Sequence, residues 1–421
     1  MRKLVITGQN ELRGEIPVQG SKNSVLPILA ATLALDGQSC IENCPDITDT
    51  EAACDILKEL GCKVWREDSA VIVENSGNNN RIPEKLMRKM RSSVMFLGAI
   101  LAKCQSAVIS FPGGCELGPR PIDIHISSLA KMGAVFKEEG GYLYCACPNG
   151  LRGAEITLPI QSVGATENII MAAVKAKGET VILNAAREPE IEDLQNFLNK
   201  CGAKIFGAGT DRIIIEGVKK LSGCCHRVIP DRIVAATYIM ASAIAGGKCK
   251  ISQICPNHMN SIINSLKEMN VDLTVEQNSV IVLSDKKFFA PKLIRTAVYP
   301  GYPTDAQALI MALCCVSKGS SMFIESIFQS RYKHVSELCR MGANINVEQR
   351  VAVVEGVPML WGANVEATDL RGGAALMIAA LAAKGTTVID KTEHIYRGYE
   401  KPEWFLSQVG ADIKRIEEDE F

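Results

Sequence analysis

One short pattern recurs six times along the 421 residues: a leucine, three residues, then glycine, alanine or cysteine, one more residue and an apolar side chain. The copies are LKELGCKV from Leu57, LAKMGAVF from Leu129, LNKCGAKI from Leu198, LKEMNVDL from Leu266, LCRMGANI from Leu338 and LSQVGADI from Leu406. They are spaced 68–72 residues apart, and in the fourth copy Asn270 stands at the glycine position. Glycine at the end of a periodic apolar segment supplies a left-handed cap, so each copy reads as a helix that turns directly into a strand. Six units of this length account for the chain and make it repeat-built.

A second landmark precedes each copy, a helix of small apolar residues closing on a turn: LPILAATLALDG, FLGAILAKCQ, IIMAAVKAKG, YIMASAIAGG, LIMALCCVSKG and LMIAALAAKG. Segments this apolar on every face belong inside a core. β-rich pieces such as TVILN, RIIIEGV and VAVVEGV separate them, which gives an α/β class with two helices and three to four strands per unit. A chain this long exceeds one ordinary core, so two domains are expected.

The starts of the buried helices are polar: Lys22, Asn23, Arg91, Ser162, Thr166, Arg232, Asp305 and Arg371 cluster there. Ser162, Thr166 and Asp305 can be read as caps. Lys22, Arg91 and Arg371 cannot, because a cation opposes the helix dipole at that end, and they point to a bound anion.

Composition removes several classes of function. The formal net charge is −1, with no basic excess of the kind a general nucleic-acid surface needs. The start MRKLVITGQNELRG carries no hydrophobic signal segment, and no apolar run approaches a membrane span, so a soluble cytoplasmic protein is expected, off the membrane. Sixteen cysteines without a C-x-x-C pair, beside five histidines, argue for reduced, mostly buried thiols and against zinc. Cys115 stands apart from the others, between Gly113-Gly114 and an Arg-Pro-Ile-Asp-Ile-His run in FPGGCELGPRPIDIHI.

That segment, with GSKNSVLPIL, MRSSV, SVGATENI, AAREPEIEDL, VIPDRI, YPTDAQA, SRYKHVSELCRMGA, ATDLRGGAAL and HIYRGYE, resembles the UDP-N-acetylglucosamine enolpyruvyl transferases over residues 20–400. The resemblance implies a two-domain inverse α/β barrel of six units, three per domain. One domain would be residues 22–229 with the Cys115 loop. The other would be residues 1–21 plus 230–421, completed by the N-terminal strand and carrying Asp305, Arg371 and Arg397. The active site is expected in the cleft between them. The implied reaction moves the enolpyruvyl group of phosphoenolpyruvate to the 3-hydroxyl of UDP-N-acetylglucosamine and releases phosphate. It needs no metal, no organic cofactor and no protein partner.

By the same resemblance Cys115 donates a proton to carbon C3 and is alkylated by fosfomycin, and Asp305 is the base for the sugar hydroxyl. Lys22, Arg120 and Arg397 match phosphate-gripping positions. Arg331 and Arg371 match positions near the carboxylate, and Asn23 one close to both substrates. Arg91, Arg120, Pro121, Ile122, Asp123, Ile124, Ser162, Val163, Gly164, Asp305 and Ile327 match nucleotide-sugar contacts. Glycines permit a mobile loop around Cys115, and a thiol keeps its proton near neutral pH better than a carboxylic acid does.

The chain departs from frequent family patterns at Pro119, at Val234, at Gly372-Gly373 and in FQSRY. The nearest alternative is the shikimate-pathway enolpyruvyl transferase, which shares the fold but lacks the loop cysteine and typically has Ser where Asn23 stands. A silent nucleotide-sugar-binding paralogue and a repeat scaffold without chemistry are the other readings. Neither explains all the retained polar positions.

Overall fold

The computed structural model describes residues 2–90, 92–110 and 122–417. Cys115, Arg91, Pro119, Arg120 and Pro121 lie outside the described residues. The chain forms two units, one of residues 2–19 and 230–417, the other of residues 20–110 and 122–229.

Each of the six repeat leucines ends its helix in the same way. The residue after the glycine donates its N–H to the leucine carbonyl: Cys62 to Leu57, Ala134 to Leu129, Ala203 to Leu198, Val271 to Leu266, Ala343 to Leu338 and Ala411 to Leu406, at 3.0–3.1 Å. That closure requires the intervening residue to be left-handed. The five glycines have φ between +91° and +106°, and Asn270 has φ 64°. Asparagine is the side chain that tolerates this region best after glycine, which is why the degenerate fourth copy still turns.

Every unit builds a four-stranded sheet of one plan. In the third repeat Glu155–Thr157 runs parallel to Glu179–Leu183, which pairs antiparallel with Arg212–Glu216, itself antiparallel to Lys204–Phe206. Three sheets borrow a strand from elsewhere in the chain. Cys225–Arg227, the last strand of the 20–229 unit, pairs parallel with Gly37–Glu42 of its first repeat. In the other unit Leu12–Pro17 pairs parallel with Gly247–Ser252. Arg2–Thr7 lies between Thr386–Asp390 and Asp412–Glu417, antiparallel to both. Two N-terminal strands thus complete this unit, where the sequence suggested one.

The apolar helices sit inside, as their patterning requires. In helix Arg232–Ala245 every residue after Arg232 is buried, and helices Thr304–Cys314 and Leu370–Ala382 pack on it and on each other. In the 20–229 unit, helix Phe96–Cys104 packs on helices Lys22–Ala31 and Val163–Ala173. Each unit has its own continuous apolar cluster. Among the described residues no helix is long and apolar enough to cross a membrane.

Candidate active site

Helix Thr304–Cys314 begins after Pro303, which occupies the cap position and offers no side-chain bond. Asp305 is therefore not a cap. Its carboxylate is the partly exposed tip of a cationic cluster, with Arg331 Nη2 2.9 Å from Oδ1 and Arg371 Nη2 3.6 Å from Oδ2. Both guanidiniums are almost fully buried, at 3% and 2% exposure. Arg331 also donates to the Thr304 carbonyl at 3.2 Å. Arg371 donates to the Tyr399 hydroxyl at 3.0 Å, and that hydroxyl shares a 2.7 Å hydrogen bond with Thr237. Burial opposes charge on Arg371, but Tyr399, Asp305 and Asp231 outweigh it and hold its pKa above the ordinary guanidinium value. Asp231 and Asp369 supply further negative charge behind the two guanidiniums, and Asp305 is the acid at the accessible end of the cluster.

The surrounding backbone is fixed by buried polar groups. Glu325, 1% exposed, accepts the N–H groups of Ile327 (2.8 Å) and Phe328 (3.0 Å) on one oxygen and the Thr304 hydroxyl (3.0 Å) on the other. It thereby ties the turn bearing Ile327, exposed on the surface, to the helix start bearing Asp305. Gln19 does the same for Arg397: its side chain accepts Glu400 N–H at 2.8 Å and donates to the Gly398 carbonyl at 3.1 Å.

Asp369 caps helix Leu370–Ala382, accepting the N–H groups of Arg371 (3.0 Å) and Gly372 (3.1 Å). Burial pushes its carboxyl up, and Arg331, His334 and those two N–H groups outweigh it, so its pKa ends below the usual range. The paired glycines are explained by close neighbours. A methyl at Gly372 would meet His334 Cβ at 2.9 Å, and one at Gly373 would meet Ile395 Cγ1 at 2.6 Å. Val234, the other departure, is a fully buried core residue.

In the 20–229 unit Lys22 opens helix Lys22–Ala31, and its ammonium lies 2.8 Å from the buried Asp49 carboxylate. Asn23 is half-buried beside it, and Ser24 donates to Asp193. Asp193 also holds His226 at 2.9 Å and the Ile229 N–H at 3.2 Å. The acids beside Lys22 and Arg371 supply part of the counter-charge that the sequence pattern assigned to a bound anion.

Ser162 is the cap of helix Val163–Ala173, accepting Ala165 N–H at 3.3 Å, as the cap reading of this serine expects. Thr166 is not a cap; it donates to the Ser162 carbonyl at 2.8 Å and accepts Ala186 N–H at 3.1 Å. Ile122 is buried, Asp123 and Ile124 open helix Asp123–Lys131, and His125 of that helix lies 2.8 Å from Asn168 Nδ2. Asn168 accepts Gly98 N–H at 2.7 Å and donates to the Val94 carbonyl at 3.0 Å, tying three helix segments together. A methyl at Gly164 would come within 3.2 Å of the His125 ring. Val163 and Gly164 are thus held against the element that carries Asp123. On the same buried helix, burial pushes the Glu167 carboxyl well up, and Glu190 and Glu188 push it further.

A family model described as EPSP synthase (3-phosphoshikimate 1-carboxyvinyltransferase) matches residues 6–405. The chain belongs to this family. UDP-N-acetylglucosamine 1-carboxyvinyltransferase 2 of Caldanaerobacter subterraneus subsp. tengcongensis is 49% identical, covering 99% of this chain and all of the relative. The enzyme named UDP-N-acetylglucosamine 1-carboxyvinyltransferase of Endomicrobium trichonymphae is 46% identical at the same coverage. Among solved structures, the enolpyruvyl transferase NikO of Streptomyces tendae superimposes with TM-score 0.89 at 23% identity over 98% of each chain. EPSP synthase of Acinetobacter baumannii does so with TM-score 0.76 at 19% identity, covering 99% of this chain and all of that one. These structures establish the shared two-domain α/β fold of the enolpyruvyl transferases.

Within this family member, the residues that sequence reading picked out fall into clusters. Asp305, Arg331 and Arg371 meet directly, and Ile327 and Arg397 sit on turns that Glu325 and Gln19 hold. Lys22 and Asn23 share a helix start, and Asp123, Ser162, Val163 and Gly164 gather around His125 and Asn168. Sequence reading missed the supporting acids Asp49, Glu325 and Asp193, and also Gln19, Tyr399 and Asn168. Their signal was weak, because nothing in the sequence around them separates them from ordinary solvated polar residues. Burial marks all of them except the half-buried Gln19, since a buried polar side chain must find partners.

Proposed function

We propose that this chain is a UDP-N-acetylglucosamine 1-carboxyvinyltransferase, moving the enolpyruvyl group of phosphoenolpyruvate to the 3-hydroxyl of UDP-N-acetylglucosamine and releasing phosphate. The observation that carries the reading is full-length identity of 49% to a relative of that name. The cluster of Asp305, Arg331 and Arg371 is consistent with it.

The chemistry runs in two halves. The sugar oxygen bonds to C2 of phosphoenolpyruvate while C3 takes a proton, giving a tetrahedral ketal. C3 then gives up a proton, the double bond returns and the C–O bond to phosphate breaks. Cys115 is assigned as the acid toward C3 and Asp305 as the base toward the sugar hydroxyl. Asp305 suits that role because two guanidiniums orient its carboxylate and its tip reaches solvent. Arg331 and Arg371 serve the substrate carboxylate, and Lys22, Arg120 and Arg397 the phosphate, with Asn23 beside both. Cations pre-positioned by buried bonds stabilise developing negative charge without reorganising. Arg91, Arg120, Pro121, Ile122, Asp123, Ile124, Ser162, Val163, Gly164 and Ile327 are assigned to the nucleotide sugar. The enzyme acts in the bacterial cytoplasm, at the first committed step of peptidoglycan precursor synthesis, and needs no protein partner.

The test is phosphate release from phosphoenolpyruvate with UDP-N-acetylglucosamine or with shikimate 3-phosphate as acceptor. Release with the nucleotide sugar alone is expected. Release with shikimate 3-phosphate alone would move the chain to the activity for which the family model is described, and release with neither would leave a silent paralogue. Cys115→Ser should abolish turnover and Cys115→Asp retain some. A fully active serine variant would remove Cys115 from the mechanism.

A further inference from the structure

On the outer face of the first sheet in the 20–229 unit, strand pairing brings two thiols and a carboxylate together. Strand Cys225–Arg227 runs parallel to Gly37–Glu42 in a register that sets Cys225 beside Cys40 and Arg227 beside Glu42. Residues 40, 42 and 225 point to the same side of the sheet, because side chains alternate along a strand. The Cys225 thiol lies 3.2 Å from Glu42 Oε1, and one ligand atom from each of Cys40, Glu42 and Cys225 falls within 4.8 Å of the others. Cys225 is exposed and Cys40 half-buried, so the group is open to solvent.

We propose that Cys40, Cys225 and Glu42 form a surface site for a thiophilic divalent cation, zinc or cadmium, with water completing the coordination. Ligand atoms around a tetrahedral zinc stand roughly 3.5–3.8 Å apart for bonds of about 2.3 Å to sulfur and 2.0 Å to oxygen. The 4.8 Å limit exceeds that spacing by about 1 Å, a gap that side-chain rotation closes without moving the strands. A divalent cation would bind there with release of the thiol protons. Arg227 is the cation nearest in the register, and among the described residues no ion pair joins it to Glu42. The absence of C-x-x-C in the sequence does not bear on this site, since its two cysteines are 185 positions apart and meet through strand pairing.

The location gives the ion a structural consequence. Cys225–Arg227 is the strand that closes this unit onto its own first repeat, so the metal fastens the closure. A second thiol pair, Cys201 and Cys224, lies with sulfurs 3.2 Å apart and has to be separated in the test.

The experiment uses the full chain, reduced and stripped of metal. Cadmium is titrated while the ultraviolet thiolate-to-cadmium band is followed, and melting is measured with and without zinc. One tight cadmium per chain is expected, together with a zinc-dependent rise in melting temperature. Both should vanish in Cys40→Ser/Cys225→Ser and persist in Cys201→Ser/Cys224→Ser. Glu42→Gln should bind at least about tenfold more weakly, since loss of even an outer-shell partner costs that much. Phosphate release from phosphoenolpyruvate checks that the variants are folded. A band that survives in Cys40→Ser/Cys225→Ser, or that is absent from the wild type, overturns the proposal, as does a Cys40–Cys225 disulfide that persists in the reduced protein.

Discussion

His334 is a fully buried imidazole between Arg331 and the helix that Asp369 caps, and burial pulls its pKa down to about 4. Asp369 partly opposes that shift and Arg331 reinforces it. In the unfolded chain the ring takes a proton near pH 6.5, so between about 6.5 and 4 the unfolded state binds more protons than the folded one. Stability from this residue is therefore complete above pH 6.5 and is lost as the pH falls toward 4, on the order of 2 kcal/mol by pH 5. Urea unfolding monitored at pH 7.5 and pH 5 should show that loss, and His334→Leu should flatten it. Asp369, held below its usual pKa, acts in the same direction at lower pH still. Asp305→Asn should weaken the fold by about 1–3 kcal/mol, because it leaves two buried guanidiniums facing a neutral amide. Denaturant melts measure the fold, and phosphate release should fall with it. At this scale the sequence was half legible. Lys22 and Arg371 stood out because their charge was wrong for a helix start, whereas Asp305, whose charge suits one, was singled out only through the family resemblance. Glu325 and Gln19 did not, because their importance comes from partners that only the folded chain supplies.

The six capped turns were readable as elements, down to the substitution of Asn270 for glycine. Asn270→Gly should be neutral or slightly stabilising, and Asn270→Ala should cost about 1 kcal/mol for placing an alanine at φ 64°. Thermal melts of the two variants against wild type decide it, and equal melting would remove the special role of the turn. Gly98→Ala should be far more severe, because its methyl would stand 2.2 Å from the Asn168 carbonyl oxygen. The helix pair must separate and the Asn168 bonds break, so a loss of about 2–4 kcal/mol is expected. The order of strands within each sheet was not legible. Period-2 patterning says that a strand exists, but a partner such as Cys225 for Cys40 is chosen by tertiary packing.

Two separate apolar clusters make up the molecule, and each carries its own three sheets. The 20–229 unit takes its strands from within residues 20–229, whereas the other adds Arg2–Thr7 and Leu12–Pro17 to the strands of residues 230–417. A variant lacking residues 2–10 should lose Leu4 and Ile6 from the core, leave Thr386–Asp390 unpaired on one side and leave Asp412–Glu417 without a strand partner. Limited proteolysis followed by mass spectrometry should then degrade residues 230–417 while a fragment near 20–229 survives. Uniform degradation would mean that the units do not stand alone. Repeat spacing made the six-unit plan visible, but the N-terminal contribution was only partly so, because a strand that completes a distant sheet looks like any other strand.

The position of Arg2–Thr7 also sets a clock on biosynthesis. Its neighbours on one side are residues 412–417, which are synthesised about 410 residues later. At about 5–20 residues per second the first strand waits roughly 20–80 s for its place. During that interval an apolar ribbon with both edges open must be kept from pairing with another nascent chain, while the 20–229 unit can already close on itself.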